Sequence, residues 1–191
     1  MNPIPFYIDL KSPYSYVAAH RGLALSRAGK VTFDWLPYTL DIAGRAGGDG
    51  WLNRVRYLYR DVRRFATPLG LTVRGPEKVY DSTVAQIGLL YAKQAGVHEA
   101  YIGNVFTAFF NRELAPDDIE AVAAQLEACG CDPAGFATYL DGDGRALHDD
   151  IRAKAEEAGV FGVPSLIVGG ELYWGQDRFD MALAAAGVVA G

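Results

Sequence analysis

Read for hydrophobic spacing, the chain opens β-α-β. Phe6-Tyr7-Ile8-Asp9-Leu10 is a short aromatic and β-branched run, and Ser12-Pro13 after it supplies a helix cap and a first-turn proline. The pattern then predicts a helix from Pro13 to about Ala28, stopped by Gly29. Val31-Thr32-Phe33-Asp34-Trp35-Leu36 alternates like a half-buried strand, closed by Pro37. Glycine dominates from Asp41 to Gly50, which reads as a loop suited to a binding role. Helical spacing follows over Trp51 to Leu69, Ser82 to Ala95, His98 to Asn111, Asp117 to Ala128, Pro133 to Leu140 and Arg145 to Ala158. Strand character returns at Ser165-Leu166-Ile167-Val168 and Glu171-Leu172-Tyr173-Trp174, and the intervening Gly169-Gly170 signals a hairpin. Asp177 to Ala186 supplies a last helix.

The order β-α-β, then helices, then β-β-α is that of an α/β thioredoxin-like fold with an inserted all-helical subdomain. On this reading residues 1–40 and 145–191 form the thioredoxin-like part, and residues 41–144 the helical insertion.

Composition narrows the function. The 191 residues carry a net charge of -5 with acids and bases scattered throughout, so nucleic acid is not an expected partner. No apolar run approaches the roughly 20 residues that span a bilayer. The start, Met1-Asn2-Pro3-Ile4-Pro5, lacks a basic-then-apolar signal, so a soluble cytoplasmic protein without membrane contact is expected. Cys129 and Cys131 are too close for easy disulfide geometry and too few for a zinc site, and read as the close of a helix. His20, His98 and His148 have no metal-ligand spacing and read as surface or helix-face residues.

Thioredoxin-like enzymes place a reactive C-x-x-C at the junction of the first strand and first helix, where helix N–H groups favour an anion. Here the junction is Ser12-Pro13-Tyr14-Ser15, with hydroxyls where the sulfurs would be. A hydroxyl cannot exchange disulfides, but it can donate a hydrogen bond to another molecule's thiolate. Glutathione is the abundant cytosolic source of such a thiol. Ser12 also reads as a plain helix N-cap. Further along, Gly162-Val163-Pro164-Ser165 matches the place where this fold uses a cis proline to expose the preceding backbone to a peptide, although an ordinary turn proline has the same sequence. Trp174-Gly175-Gln176-Asp177-Arg178 leads into a helix N-terminus, and Asp177 could cap that helix or hold an ammonium group.

Taken in order, Phe6-Tyr7-Ile8-Asp9, Ser12-Pro13-Tyr14-Ser15-Tyr16, Val160-Phe161-Gly162-Val163-Pro164-Ser165 and Trp174-Gly175-Gln176-Asp177-Arg178 resemble the 2-hydroxychromene-2-carboxylate isomerase family, and more loosely kappa-class glutathione transferases. The resemblance implies that Ser12 activates glutathione, that Val163 and Pro164 present backbone to it, and that Trp174, Gly175, Gln176 and Asp177 hold its glutamyl end. It further implies a homodimer, a small aromatic carboxylate as substrate, and reversible thiolate addition that frees a double bond to rotate. Arg54, in Arg54-Val55-Arg56-Tyr57-Leu58, stands where the family has lysine, and Tyr80 matches a tyrosine that faces substrate. Arg45 and Asn53 are the remaining substrate candidates. A kappa-like glutathione transferase or peroxidase, and a non-catalytic thioredoxin-like binding module, are the alternatives. Lys11 departs from the family, which has an apolar residue there. Its ammonium is expected to stretch into water, whereas one turned into the cleft would stabilise a thiolate or hold a substrate carboxylate.

Overall fold

The structure, a computed structural model, describes residues 2–42 and 50–188. Strands β1 (Ile4–Ile8) and β2 (Phe33–Pro37) lie parallel, joined by helix α1 (Pro13–Arg27). β3 (Ser165–Val168) pairs antiparallel with β1, and β4 (Glu171–Trp174) with β3, giving the order β2-β1-β3-β4. Between β2 and β3 run α2 (Trp51–Ala66), α3 (Thr83–Gln94), α4 (His98–Phe110), α5 (Ile119–Ala128), α6 (Phe136–Asp141) and α7 (Asp143–Glu157); α8 (Phe179–Ala185) follows β4. This is the thioredoxin-like arrangement that the element order predicts, with the hairpin bounds unchanged.

The apolar positions that predict β1 bury it on both faces. Phe6 and Ile8 are inaccessible to solvent, and the Phe6 ring stacks on Trp35 of β2 with centroids 4.6 Å apart. α1 approaches this layer at Gly22, where a Cβ would come within 2.9 Å of the Trp35 ring, so only glycine fits. On its other side α1 places Tyr16 against Phe106 and Phe110 of α4, with centroids 5.2 and 5.1 Å away. One apolar cluster therefore runs from the sheet through α1 into α3 and α4. Gln86 of α3 adds a polar tie by donating from Nε2 to the Ile8 carbonyl at 2.7 Å.

β1 ends two residues earlier than its apolar pattern predicts, and Asp9 is the reason. Its carboxylate is fully buried and gathers four donors: the Lys11 N–H at 3.0 Å, the Leu40 N–H at 2.8 Å, the Ser82 hydroxyl at 2.6 Å and the Lys11 ammonium at 3.1 Å. These bonds turn the chain out of the strand and tie it to the segment after β2 and to the residue before α3. The Ser12 N–H closes the same turn on the Asp9 carbonyl at 2.9 Å.

Lys11 is not solvated as expected. It is 7% exposed, and its Nζ also donates to the Leu40 carbonyl at 2.8 Å and the Ser82 hydroxyl at 3.1 Å. An ammonium has three protons, and three oxygens take them. The physical reason is the buried Asp9 charge, which needs a counter-ion more than Lys11 needs water. Lys11 is thus neither a bystander in solvent nor a free cation facing a ligand. Removing one partner of a buried ion pair typically costs 3–5 kcal/mol, because the other charge is stranded. Lys11→Met is therefore expected to lower unfolding stability in urea by about 3 kcal/mol or more. A loss under about 1 kcal/mol, the range of an exposed pair, would contradict the assignment.

Candidate functional site

The turn from β1 into α1 puts Ser12 at the helix N-cap with Pro13 in the first turn. Ser12 Oγ accepts the Ser15 N–H at 3.3 Å, and among the described residues it donates to nothing. The helix end carries no acidic residue in its first turn, so its dipole is open to an anion. Ser12 is 5% exposed, and it stands as the cap that one reading of the sequence required. The hydroxyl proton is the part of it that chemistry can still use.

On the β3 and β4 side of this turn lies a cavity of about 440 Å³ lined by Tyr14, Asp61, Val163, Pro164 and the run from Trp174 to Arg178. The Val163-Pro164 bond is cis. The β1–β3 register pairs Tyr7 with Ser165, so its continuation carries Val163 and Pro164 back along β1 toward Asp9 and the Ser12 turn. The Pro164 carbonyl accepts the Gly175 N–H at 2.9 Å, joining the two loops of the cavity. Gly175 has φ +106°, a conformation that disfavours any side chain, and this swings the chain from β4 into the Gln176–Arg178 turn. Gln176 is buried, Trp174 is half exposed beside Phe161, and the Asp177 carboxylate is exposed and accepts from Arg178 Nη1 at 2.9 Å. Gly175 and Arg178 occupy the N-cap positions of this turn and of α8, so Asp177 caps neither.

Tyr14 and Asp61 complete this wall without having been singled out as site residues from the sequence. The Tyr14 hydroxyl donates to Asp61 Oδ2 at 2.7 Å, while Asp61 Oδ1 takes Arg64 Nη1 at 2.8 Å. Burial, and then the bond to Asp61, push the Tyr14 phenol well above its usual range, so it stays protonated and spends its proton on Asp61. The one signal available was the spacing of Asp61 and Arg64 on the exposed amphipathic helix α2, which does not reveal Tyr14 as the partner.

On the opposite side of the turn a second cavity, about 490 Å³, is lined by Lys11, Thr39, Tyr80, Asp81, Thr83 and Arg152 among others. Of its cations, Lys11 is committed to Asp9, while Arg152 holds Glu156 through Nε at 3.0 Å. Asp41, Asp81 and Asp117 also line it; Asp81 is bonded to the Thr83 backbone and hydroxyl at 2.9 and 2.6 Å, and Asp117 to Lys78 at 3.3 Å.

The candidate residues divide accordingly. Val163, Pro164, Trp174, Gly175, Gln176 and Asp177 come together on one cavity, and Tyr80 lines the other. Asn53 and Arg54 project from the exposed side of α2 and line neither, because α2 buries only Val62 and Ala66. Arg45 lies outside the described residues. Burial raises both cysteine thiols above their ordinary pKa, and Cys129 caps α5 far along the chain from Ser12. His148, expected as a surface or helix-face residue, lies on the buried face of α7 and is 3% exposed, its ring met by Thr39 from the β2 side. Among the described residues no cluster of His, Cys, Asp and Glu is suited to a metal, and no helix is long and apolar enough to cross a membrane.

Comparison with known proteins places this geometry in context. A family model described as a DsbA-like thioredoxin domain matches residues 3–186. The 2-hydroxychromene-2-carboxylate isomerase of Pseudomonas sp. (strain C18) is 32% identical over 96% of this chain and 90% of its own length. The protein of that name from Pseudomonas putida is 31% identical over 96% of this chain and 94% of its own. A solved structure of a selenomethionine 2-hydroxychromene-2-carboxylate isomerase superposes with TM-score 0.84 at 30% identity, covering 97% of this chain and 95% of that one. With the serine turn, the cis proline and the glycine turn after β4 all in place, the chain belongs to the DsbA-like thioredoxin family and, within it, to the 2-hydroxychromene-2-carboxylate isomerase family.

Proposed function

We propose that this chain is a glutathione-dependent isomerase acting on 2-hydroxychromene-2-carboxylate or a related unsaturated aromatic pyruvate. The observation that carries the reading is the Ser12 turn standing between two cavities, in a chain whose full-length relatives are named for that isomerisation.

The residues present suit glutathione. Its size calls for a cleft of a few hundred Å³, its peptide for exposed backbone, its sulfur for a donor at a helix end, and its charged glutamyl group for polar partners. The smaller cavity supplies Val163 and Pro164, Tyr14 from the first turn of α1, and Gln176 with Asp177; Ser12 lines neither cavity and stands at the helix cap between Lys11, which lines the larger, and Tyr14, which lines the smaller. Glutathione, when bound, would supply a thiolate that adds to and leaves the unsaturated carbon, making the double bond free to rotate.

The chain's own part is to hold and polarise. Ser12 directs its hydroxyl proton at the sulfur, and the unopposed dipole of α1 favours the negative form. Val163 fixes the peptide's register, and Asp177 faces the glutamyl ammonium. Tyr14 stays protonated, with its hydroxyl hydrogen-bonded to Asp61, so the phenol adds no charge of its own to a cavity whose acids are Asp61 and Asp177. The larger cavity takes the acceptor, with Tyr80 against its ring and Arg152, which meets Glu156 through Nε, turning its other guanidinium N–H groups to the carboxylate, whereas the three protons of Lys11 are all committed.

Ser12→Ala is expected to reduce glutathione-dependent turnover by about 10²-fold, the usual effect of losing one preorganised donor. Its stability cost is that of a helix cap, about 1 kcal/mol, so the protein stays folded. Unchanged turnover leaves Ser12 as a cap alone. Asp177→Ala is expected to weaken glutathione binding measured by calorimetry while sparing turnover at saturating thiol, because it grips the end of the tripeptide remote from the sulfur. Unchanged affinity with reduced turnover would contradict that placement. Over many turnovers the free glutathione concentration stays constant; steady consumption with an aromatic electrophile would instead mark a transferase.

A further inference from the structure

A threonine, a histidine and an aspartate stand in line behind the larger cavity, and the thiol chemistry uses none of them. Thr39 follows β2, lines the cavity and is 7% exposed. Its Oγ1 lies 2.9 Å from Nε2 of His148 on α7, and His148 Nδ1 lies 3.2 Å from Asp149 Oδ1. A carboxylate can only accept, so Nδ1 carries the ring proton toward Asp149; Nε2 of the neutral ring then holds a lone pair, and the Thr39 hydroxyl donates to it. Burial holds the His148 pKa below its ordinary value, with Asp149 opposing and Arg145 and Arg152 acting in the same direction as burial. The ring is therefore neutral at neutral pH and able to accept a proton.

The order hydroxyl, imidazole, carboxylate is that of an activated nucleophile. Acyl transfer, however, also needs N–H donors for a developing oxyanion, and those beside Thr39 are spent: the Leu40 N–H on Asp9, and Lys11 Nζ on three oxygens. Reversible proton transfer at the cavity wall is what the arrangement can perform.

We propose that Thr39, backed by His148 and Asp149, is an acid–base site that opens and closes the cyclic hemiketal of a 2-hydroxychromene substrate held in the larger cavity. This rests on the isomerase reading and deepens it. In a 2-hydroxychromene the hydroxyl and the ring oxygen sit on one carbon, and the double bond cannot rotate until the bond from that carbon to the ring oxygen breaks. The hemiketal hydroxyl gives its proton to Thr39 Oγ1 as the Thr39 proton passes to His148 Nε2. The electron pair left on the hydroxyl oxygen forms the ketone, and the pair of the breaking carbon–oxygen bond leaves on the aryl oxygen. The proton held on His148 returns through Thr39 to the aryl oxygen, giving a phenol. Nothing is oxidised or reduced, and both oxygens are within reach of one hydroxyl because they share a carbon. Thr39 touches the reacting atoms; His148 acts through it and Asp149 orients the ring.

The step needs no thiol, which allows it to be tested separately. Nuclear magnetic resonance exchange spectroscopy on 2-hydroxychromene-2-carboxylate, with enzyme and without glutathione, reads the exchange between hemiketal and open keto phenol. Wild type and Thr39→Ser are expected to accelerate exchange, and Thr39→Val and His148→Gln to lose about 10²-fold or more of that acceleration. Affinity for the hemiketal by calorimetry is expected to stay within a few-fold, which a purely structural role for these residues would not preserve. Should His148→Gln fail to fold, Thr39→Val and the exposed Asp149→Asn, which is expected to lose less, carry the test. No acceleration by wild type, full acceleration by Thr39→Val, or loss of hemiketal affinity together with exchange would overturn the proposal. Adding glutathione then reports on the isomerase reading by itself. Exchange without any trans product supports the relay and counts against the isomerase, whereas trans product without enzyme-driven exchange does the reverse.

Discussion

The structure around the site depends on one buried carboxylate. Asp9, inaccessible at the end of β1, takes donors from the β1–α1 turn, the segment after β2 and the residue before α3. A charge taken out of water is tolerated only where its lone pairs are met, and Lys11 supplies the counter-charge. The consequence is geometric. Three segments remote in sequence are fixed at one point, and the next residues along the chain, Ser12 and Pro13, begin a helix whose N-terminus cannot drift.

The sheet order then separates two chemistries. β2 lies to one side of β1, and β3 with β4 to the other, so the loops at this end of the sheet fall into two groups on either side of the Ser12 turn. The group after β2 brings Thr39 and Leu40 to the larger cavity; the group around β3 and β4 brings Val163, Pro164 and the Trp174–Arg178 run to the smaller. On the function proposed above, a thiol held on one side and an acceptor on the other would meet at the serine. Lys11 sits at this meeting point yet carries no free charge into it, which leaves Ser12 and the helix dipole as the groups that act on an incoming sulfur.

Local signals made most of the fold legible. Ser12-Pro13, the Gly169-Gly170 turn and the helical spacing are short-range features, and the elements they predict are those found. That Val163-Pro164 and Trp174 to Asp177 would form one cavity wall, with the proline cis, was legible for the same reason, since both are contiguous runs whose local backbone sets their shape. What escaped reading is made by long-range partners. The early end of β1, the burial of Lys11, the Tyr14–Asp61 bond and the Thr39–His148 bond each join residues distant in sequence, apart from the turn at Asp9 itself. Lysine is a surface residue by default and histidine an intermediate one, so only the tertiary partner reveals that Lys11 and His148 are buried. Arg54, marked for substrate by a motif match, and Asn53, a remaining candidate, stand exposed on α2 and line neither cavity.

The account turns on which cavity receives the thiol. A crystal structure with glutathione soaked at millimolar concentration tests it most directly. The account predicts the sulfur beside Ser12 Oγ, the peptide running along Val163 and the glutamyl end at Gln176 and Asp177, with the cavity of Thr39 and Tyr80 left open. Glutathione seated against Thr39 and Tyr80, or absent from the protein altogether, would contradict it.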